Sequence, residues 1–189
     1  MSCSRRAGAR RSAICGNFFK AQFVYNLESE IEPSRSIFNQ RSFVVRITSK
    51  AFTDGDKIPD KYAMDTGNHS PPVHFDEVPD RAKSLALIVE DPDATQGTFN
   101  HWLLFNMDPK IHDIKEDSVP VMATQGRNDF GEIEYDGPKP PSGEHRYRFK
   151  IFALDTVLAL PDGCSRDAID REMKGHVLES ATLTGKYAH

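Results

Sequence analysis

The chain has 189 residues, a net charge of −4 and three cysteines, and this length allows one domain or two small ones. Its longest aliphatic run, Leu85 to Val89, has five residues, whereas a membrane span needs about 20, so we expect no integral membrane segment. The cysteines form no CxxC pair, which argues against a zinc ribbon and a disulfide scaffold. Scattered cysteines fit a reducing compartment, and we expect a cytoplasmic protein.

Residues 1–41 differ in charge from the rest of the chain. They contain seven basic and three acidic residues, a net charge of +4, which leaves −8 for residues 42–189. An acidic body argues against nucleic-acid binding, because affinity for the phosphate backbone depends on Lys and Arg. We expect residues 1–41 to be a basic extension, disordered or used in targeting, and residues 42–189 to be the folded domain. If residues 1–27, which contain no acid, act as a transit peptide, the protein would enter an organelle.

From residue 42 onward, short apolar runs alternate with clusters of Gly, Pro, Asp and Asn, a pattern typical of an all-β sandwich or barrel. Five strands are predicted, at residues 43–47, 84–89, 99–107, 146–152 and 181–187. The fourth has the clearest alternation, because Tyr147, Phe149 and Ile151 are interleaved with basic residues. This is the pattern of a half-buried antiparallel strand.

One helix is predicted between the last two strands. Ser165 is a suitable N-terminal cap. Ile169, Met173 and Val177 are spaced four residues apart and would form one apolar stripe. The sequence therefore predicts a helix that packs against the sheet and extends to Val177.

Polar side chains concentrate in the segment of residues 91–102. Asp91 and Asp93 flank Pro92 where an aliphatic strand ends. In extended backbone, residues two apart point the same way, so both carboxylates would share one face. His101 begins the next predicted strand.

A second polar segment covers residues 135–149. His145 and Tyr147 are two residues apart and would share one face of the strongest strand. The loop before them contains Pro138 and two further prolines, which restrict the backbone. If the two segments meet, one pocket would contain the carboxylates, both histidines and the tyrosine.

The residue types leave several chemistries open for such a pocket. It would be an anion site if histidine N–H and tyrosine O–H groups donate to phosphate or carboxylate. Two histidines with a carboxylate also form a known metal-ligand set. General acid–base catalysis is the third possibility. Each histidine would otherwise only satisfy a buried hydrogen bond.

Blocks across residues 42–189 resemble the phosphatidylethanolamine-binding protein family, and most closely its bacterial and archaeal branch, the Raf kinase inhibitor protein-like proteins. The blocks that match, in the family's order, are FTDGDKIPDKYAMDTGNHSPP, SLALIVEDPDA followed by HW, GRNDFG, YDGPKPPSGEHRYRF, ALD, GH and GKY. This resemblance implies a mostly β fold, an antiparallel β-sandwich with Greek-key connections and one or two flanking helices. It also implies a small pocket for phosphate-like anions, formed by Asp91, Asp93, His101, His145 and Tyr147 with Pro138 at the rim.

The resemblance further implies a non-catalytic binding protein without cofactor or bound metal. Its ligand would be a small phosphorylated or carboxylate group, similar to phosphoethanolamine. It would modulate a protein partner such as a kinase or protease, and it would form a homodimer. An Asp/His-based hydrolase, with or without the assistance of a metal, is the alternative, although the chain contains no GxSxG, HExxH or glycine-rich phosphate loop.

Two residues depart from the family pattern. Thr95 follows the DPDA block where proline is usual, and Lys139 occupies a position where cysteine or a small residue is usual. The threonine removes a rigid part of the predicted pocket wall. The lysine would add about 1 kcal/mol of attraction for an anion if it is exposed.

Overall fold

The structure is a computed structural model, and it describes residues 44–188. The predicted extension, residues 1–41, lies outside the described residues. The elements follow in the order β1 (Arg46–Thr48), a 3₁₀ turn (Asp60–Tyr62), β2 (Val73–Asp76), β3 (Ser84–Asp91), β4 (Phe99–Met107), β5 (Asp113–Ile114), β6 (Thr124–Gln125), β7 (Glu144–Leu154), α1 (Arg166–Met173) and β8 (Val177–Ala188).

These strands form two antiparallel sheets. The small sheet has the order β1-β2-β5, and the large sheet has the order β6-β4-β3-β7-β8. In the large sheet, β3, β4 and β6 lie side by side in that order, with β5 between the last two in the chain but in the small sheet, and β7 returns to the free side of β3. That spatial order is a Greek key, as the family resemblance implied.

The centre of the large sheet is buried on both faces. One face shares an apolar core with the small sheet, to which Ile47 and Phe75 contribute from one side and Val89 and Phe149 from the other. The opposite face packs against α1 and the segment before it, through residues such as Ile169. Burial on both faces explains why all eight residues of β3 are buried. The predicted β-sandwich with a flanking helix is confirmed.

Four of the five predicted strands are confirmed with small changes at their ends. The third prediction matches β4 residue for residue, and the fourth lies within β7 with its alternating residues buried. The first was placed too early, because the backbone pairs with β2 only from Arg46 to Thr48. Phe43, where that prediction began, lies outside the described residues. The short strands β2, β5 and β6 were not predicted, since two to four residues are too few for a periodic pattern.

The helix begins as predicted but ends earlier. The Ser165 side chain accepts a hydrogen bond from the Ala168 N–H, as a cap does. The helix ends at Met173, and Gly175 follows with a φ of 84°, a conformation that ends helices. The prediction that Val177 belongs to the helical stripe is therefore wrong. Val177 is the first residue of β8, and 42% of its surface is exposed. Among residues 44–188, no helix is long and apolar enough to cross a membrane.

Candidate functional site

The centre of the site is a buried carboxylate–histidine pair. Asp91 is the last residue of β3, and His145 is the second residue of the neighbouring strand β7. Asp91 Oδ2 lies 2.7 Å from His145 Nδ1, and the two side chains are only 5% and 10% exposed. Asp91 Oδ1 accepts the backbone N–H of Asp93 at 2.8 Å. Because both carboxylate oxygens are fixed, the carboxylate in turn fixes the orientation of the His145 ring.

A second buried histidine, His101, lies in β4 and makes a different hydrogen bond. Its Nδ1 is 2.7 Å from the backbone oxygen of Asp136, and its own carbonyl accepts the Asp136 N–H at 3.1 Å. A carbonyl oxygen only accepts, so Nδ1 carries the proton and donates. Burial lowers the pKa of His101, which favours the neutral ring. Its Nε2 is therefore a hydrogen-bond acceptor.

A network of side-chain amides holds the backbone that supports His101. The Asp136 carboxylate accepts hydrogen bonds from Asn128 at 2.8 Å and from Asn68 at 3.1 Å. Asn68 Oδ1 in turn accepts the Gly137 N–H at 2.7 Å. A Cβ at Gly137 would lie 2.1 Å from the Tyr62 oxygen, so only glycine allows this close approach. Asn128 also organises the turn after it by accepting two backbone N–H groups.

The two histidines open onto a cavity of about 520 Å³ at this end of the large sheet. Its lining consists of Asp91, Ala94, Thr95, Gln96, Gly97, Thr98, Phe99, His101, Asp129, Phe130, Lys139, Pro141 and His145. One part of the wall is polar, formed by the carboxylate–histidine pair and the loop of residues 94–98. Another part is aromatic, with the Phe99 and Phe130 ring centroids 4.7 Å apart. The cavity therefore combines a polar end with an apolar side.

Two charged side chains on the wall are already paired. Asp129 Oδ2 accepts the backbone N–H of Asn100 at 2.6 Å and its side-chain amide at 2.9 Å. Lys139 Nζ lies 2.7 Å from Asp65 Oδ1, and both side chains are 48% exposed. An ion pair this exposed contributes about 0–1 kcal/mol, so a ligand can compete for the ammonium group.

Comparison with known proteins agrees with the fold and with the sequence blocks. The sequence model of the phosphatidylethanolamine-binding protein family matches residues 48–188. The chain belongs to this family. A UPF0098 protein of Methanothermobacter thermautotrophicus is 45% identical over 148 residues, which cover 76% of this chain and 98% of the relative. A UPF0098 protein of Chlamydia muridarum is 41% identical over the same shares of the two chains. These relatives place the chain with the bacterial and archaeal members of the family.

Two solved structures of the family have the same fold. A phosphatidylethanolamine-binding protein homologue of Chlamydia trachomatis aligns with a TM-score of 0.75 and 40% identity over 78% of this chain and 99% of its own. The protein YbcL of Escherichia coli, described as a member of the mammalian family, aligns with a TM-score of 0.73 and 28% identity. That alignment covers 77% of this chain and 98% of YbcL.

Six residues of this chain were predicted to form the ligand pocket. Three of them line the cavity and three do not. Asp91, His101 and His145 are on the wall. Asp93 is absent from the wall because its carboxylate turns to Arg146, with oxygen–nitrogen distances of 2.6 and 2.9 Å. Its strand ends at Asp91, so the alternation of extended backbone no longer applies two residues later.

Tyr147 and Pro138 also lie behind the wall. The Tyr147 ring is buried and packs edge-on against the His101 ring, with the centroids 5.2 Å apart. Pro138 is buried, and its carbonyl accepts the Met64 N–H at 3.1 Å. Of the three prolines in this loop, it is Pro141 that lines the cavity.

Several residues of the site were not predicted from the sequence. Phe99 and Phe130 come together through tertiary packing, and Asp136 acts mainly through its backbone. Their only sequence signal was their position inside or beside the matching blocks. Within residues 44–188, no group of three or more His, Cys, Asp or Glu side chains is arranged to hold a metal ion.

Proposed function

We propose that this protein is a non-catalytic binding protein whose cavity takes a small group bearing phosphate or carboxylate, similar to phosphoethanolamine. The observation that carries the proposal is the Asp91–His145 pair at the polar end of the cavity. With Nδ1 held by the carboxylate, Nε2 is the ring nitrogen left for a ligand. No described residue forms a hydrogen bond to it.

Further donors are available on the same wall. Thr95 and Thr98 line the cavity, and their hydroxyl groups form no hydrogen bond with any residue from 44 to 188. Lys139 brings an ammonium group to the rim. Hydrogen bonds to a charged partner contribute about 1.5–3 kcal/mol each, so two or three such contacts suffice for a specific anion site.

The aromatic side of the cavity supports a ligand larger than phosphate alone. Phe99 and Phe130 lie next to the His101 ring, whose centroid is 5.3 and 5.4 Å from theirs. Such faces accept methylene groups or an ammonium group placed over a ring. We therefore propose that the anionic head occupies the polar end and that its substituent lies along these rings.

Isothermal titration calorimetry with phosphoethanolamine and inorganic phosphate tests this function. We expect His145→Ala to weaken binding about 10- to 100-fold, the equivalent of one charge-assisted hydrogen bond. We expect a smaller loss for His101→Ala, because the Nε2 atom of its neutral ring is an acceptor. His176→Ala is a matched control, because His176 also pairs with a carboxylate, Asp155, at 2.8 Å but lies exposed outside the cavity. Absence of binding by the wild-type protein, or equal binding by all three variants, would contradict the proposal.

A hydrolase is the second candidate, favoured by one observation. A histidine fixed by a buried carboxylate is the arrangement of a general base. Against it, the described cavity wall carries no serine or cysteine beside either histidine. Hydrolysis of p-nitrophenyl phosphate, measured with and without added zinc, discriminates the two. Turnover that is lost in Asp91→Asn would favour the enzyme.

The remaining parts of the proposal concern the protein's surroundings. We propose a cytoplasmic protein that modulates a partner such as a kinase or protease, with the cavity as the point of contact, and that forms a homodimer. Inhibition of a test kinase or protease, compared with and without saturating phosphate, examines the first point. Light scattering examines the second.

A further inference from the structure

The hydrogen bonds inside the cavity determine where the histidine protons lie. His101 donates from Nδ1 to a carbonyl, so in its neutral form Nε2 only accepts. His145 faces the Asp91 carboxylate with Nδ1, so its neutral form also has the proton on Nδ1. Both Nε2 atoms are then acceptors. An anion oxygen is likewise an acceptor, so neutral histidines would not bind it.

The charges on the wall add to this mismatch. The cavity is lined by two carboxylates, Asp91 and Asp129, and by one ammonium group, that of Lys139. The ammonium is already paired with Asp65 outside the lining set. With neutral histidines, an incoming dianion would meet a wall of net negative charge. Like charges at short range in a partly buried site repel strongly.

Resting on the proposed function, we propose that the cavity binds its anion together with one proton, which is held between Nε2 of His145 and an anion oxygen. For an anion that carries no proton, the shared proton comes from the solvent, so one hydrogen ion disappears from the buffer for each such anion bound. If it resides on Nε2, the imidazolium ring donates to the anion. If it resides on the anion oxygen, that hydroxyl donates to Nε2. The proton balance is the same in both cases.

His145 is better suited to receive this proton than His101. Its Nδ1–H faces a carboxylate at 2.7 Å, and a carboxylate stabilises an imidazolium ring. His101 faces only a neutral carbonyl, and burial lowers its pKa. Charged and titratable groups surround His145 on every side. On the side of the cavity they are Asp91, Asp93, His101, Asp129 and Lys139. Along the strands they are Glu144, Arg146 and Tyr147 of β7, and Tyr187 opposite His145 in β8.

Sulfate is the sharpest probe, because at neutral pH it carries no proton of its own. Calorimetric titration with sulfate in buffers of different ionisation enthalpy, repeated over a series of pH values from neutral upward, counts the protons taken up at each pH. We expect the count for the wild-type protein to rise with pH to about one proton per sulfate. Its affinity should then fall about tenfold for each further pH unit.

Variants locate the proton. His145→Gln keeps a donor side chain without a titratable ring, so we expect weaker sulfate binding with no proton uptake. His176→Gln, at the exposed pair with Asp155, should behave as the wild type. If His145→Gln does not fold, nitrogen-15 NMR of the wild-type ring replaces it. Addition of sulfate should then convert His145 from one protonated nitrogen to two.

The outcomes separate this inference from the proposed function. Sulfate binding by the wild type without proton uptake would overturn the inference and leave the anion site intact. Proton uptake that persists in His145→Gln would also overturn it, because the proton would then lie elsewhere. No binding of sulfate or phosphate would contradict the proposed function itself, and the inference with it.

Discussion

The buried hydroxyl group of Tyr147 gives a prediction whose sign is unusual for a core substitution. The residue is 1% exposed, and its hydroxyl oxygen forms no hydrogen bond of good geometry with a described residue, although the Asp91 carboxylate and the Lys139 backbone lie near it. Burial also raises the pKa of Tyr147, with the nearby Asp91 carboxylate as a further cause. A buried, unpaired hydroxyl costs about 1–3 kcal/mol of stability. We therefore expect Tyr147→Phe to stabilise the fold by about 1 kcal/mol, since part of that cost is recovered.

Tyr135 provides the matched control. It is equally a buried tyrosine, but its hydroxyl donates to the Tyr62 carbonyl at 2.9 Å. Tyr135→Phe removes this bond and leaves the carbonyl without its partner, so we expect a loss of about 1 kcal/mol. The two substitutions delete the same atom from similar surroundings, and their effects should have opposite signs.

Urea unfolding followed by circular dichroism measures both changes. For a domain of this size, 1 kcal/mol corresponds to about 2–4 °C in Tm, which thermal unfolding resolves. A loss of 1 kcal/mol or more in Tyr147→Phe would refute the reasoning, because it would mean that the hydroxyl is satisfied in the folded protein. Phosphate titration of the same variant is informative. A tenfold weaker affinity would show that this hydroxyl reaches the ligand, as the sequence predicted.

Three further predictions concern the surroundings of the site. At Gly137 a Cβ would lie 2.1 Å from a backbone oxygen, so Gly137→Ala should destabilise the fold by about 1–3 kcal/mol. Urea unfolding measures this loss, and an unchanged unfolding midpoint would contradict the prediction. Hydrogen bonds from Arg146 lower the pKa of Asp93 from its ordinary value of 3.8. The ionised carboxylate therefore stabilises the fold at pH values above 3.8, and this stabilisation is lost as the pH falls below that value towards the lowered pKa. The unfolding free energy of Asp93→Asn should therefore fall less steeply with acid than that of the wild type; equal slopes would count against it. Asp65→Asn frees the ammonium group of Lys139, so phosphate affinity in calorimetry should rise up to about fivefold, and Lys139→Ala in the same background should abolish the gain.

The sequence predicted the fold wherever a periodic pattern was long enough. The alternation in β7 and the aliphatic run of β3 are strong signals, because their side chains face the core on one or both faces. That these two strands are neighbours did not follow from either pattern. The family resemblance implied Greek-key connections, which pair strands that lie far apart in the sequence, but it did not say which strands are neighbours.

The predicted site was less complete, for reasons of local geometry. The two-residue rule for Asp91 and Asp93 holds only within a strand, and β3 ends between them. The residues Phe130 and Asp129 reach the cavity from a turn, and no periodic pattern describes where a turn places its side chains. The helix prediction was wrong at Val177 for a related reason. The four-residue spacing continues to Val177, and only the backbone conformation of Gly175 shows that the helix has already ended.

The position of the site in a Greek key has a consequence for folding kinetics. Asp91 and His145 are 54 residues apart in sequence, and they meet only when β7 pairs with β3. Closing so long a loop is slow, and topologies dominated by such pairings fold in milliseconds to seconds. Anion binding should therefore appear late in refolding, together with the central pair of strands. A partly folded chain that holds only the β3–β4 hairpin would have one half of the pair and no binding site.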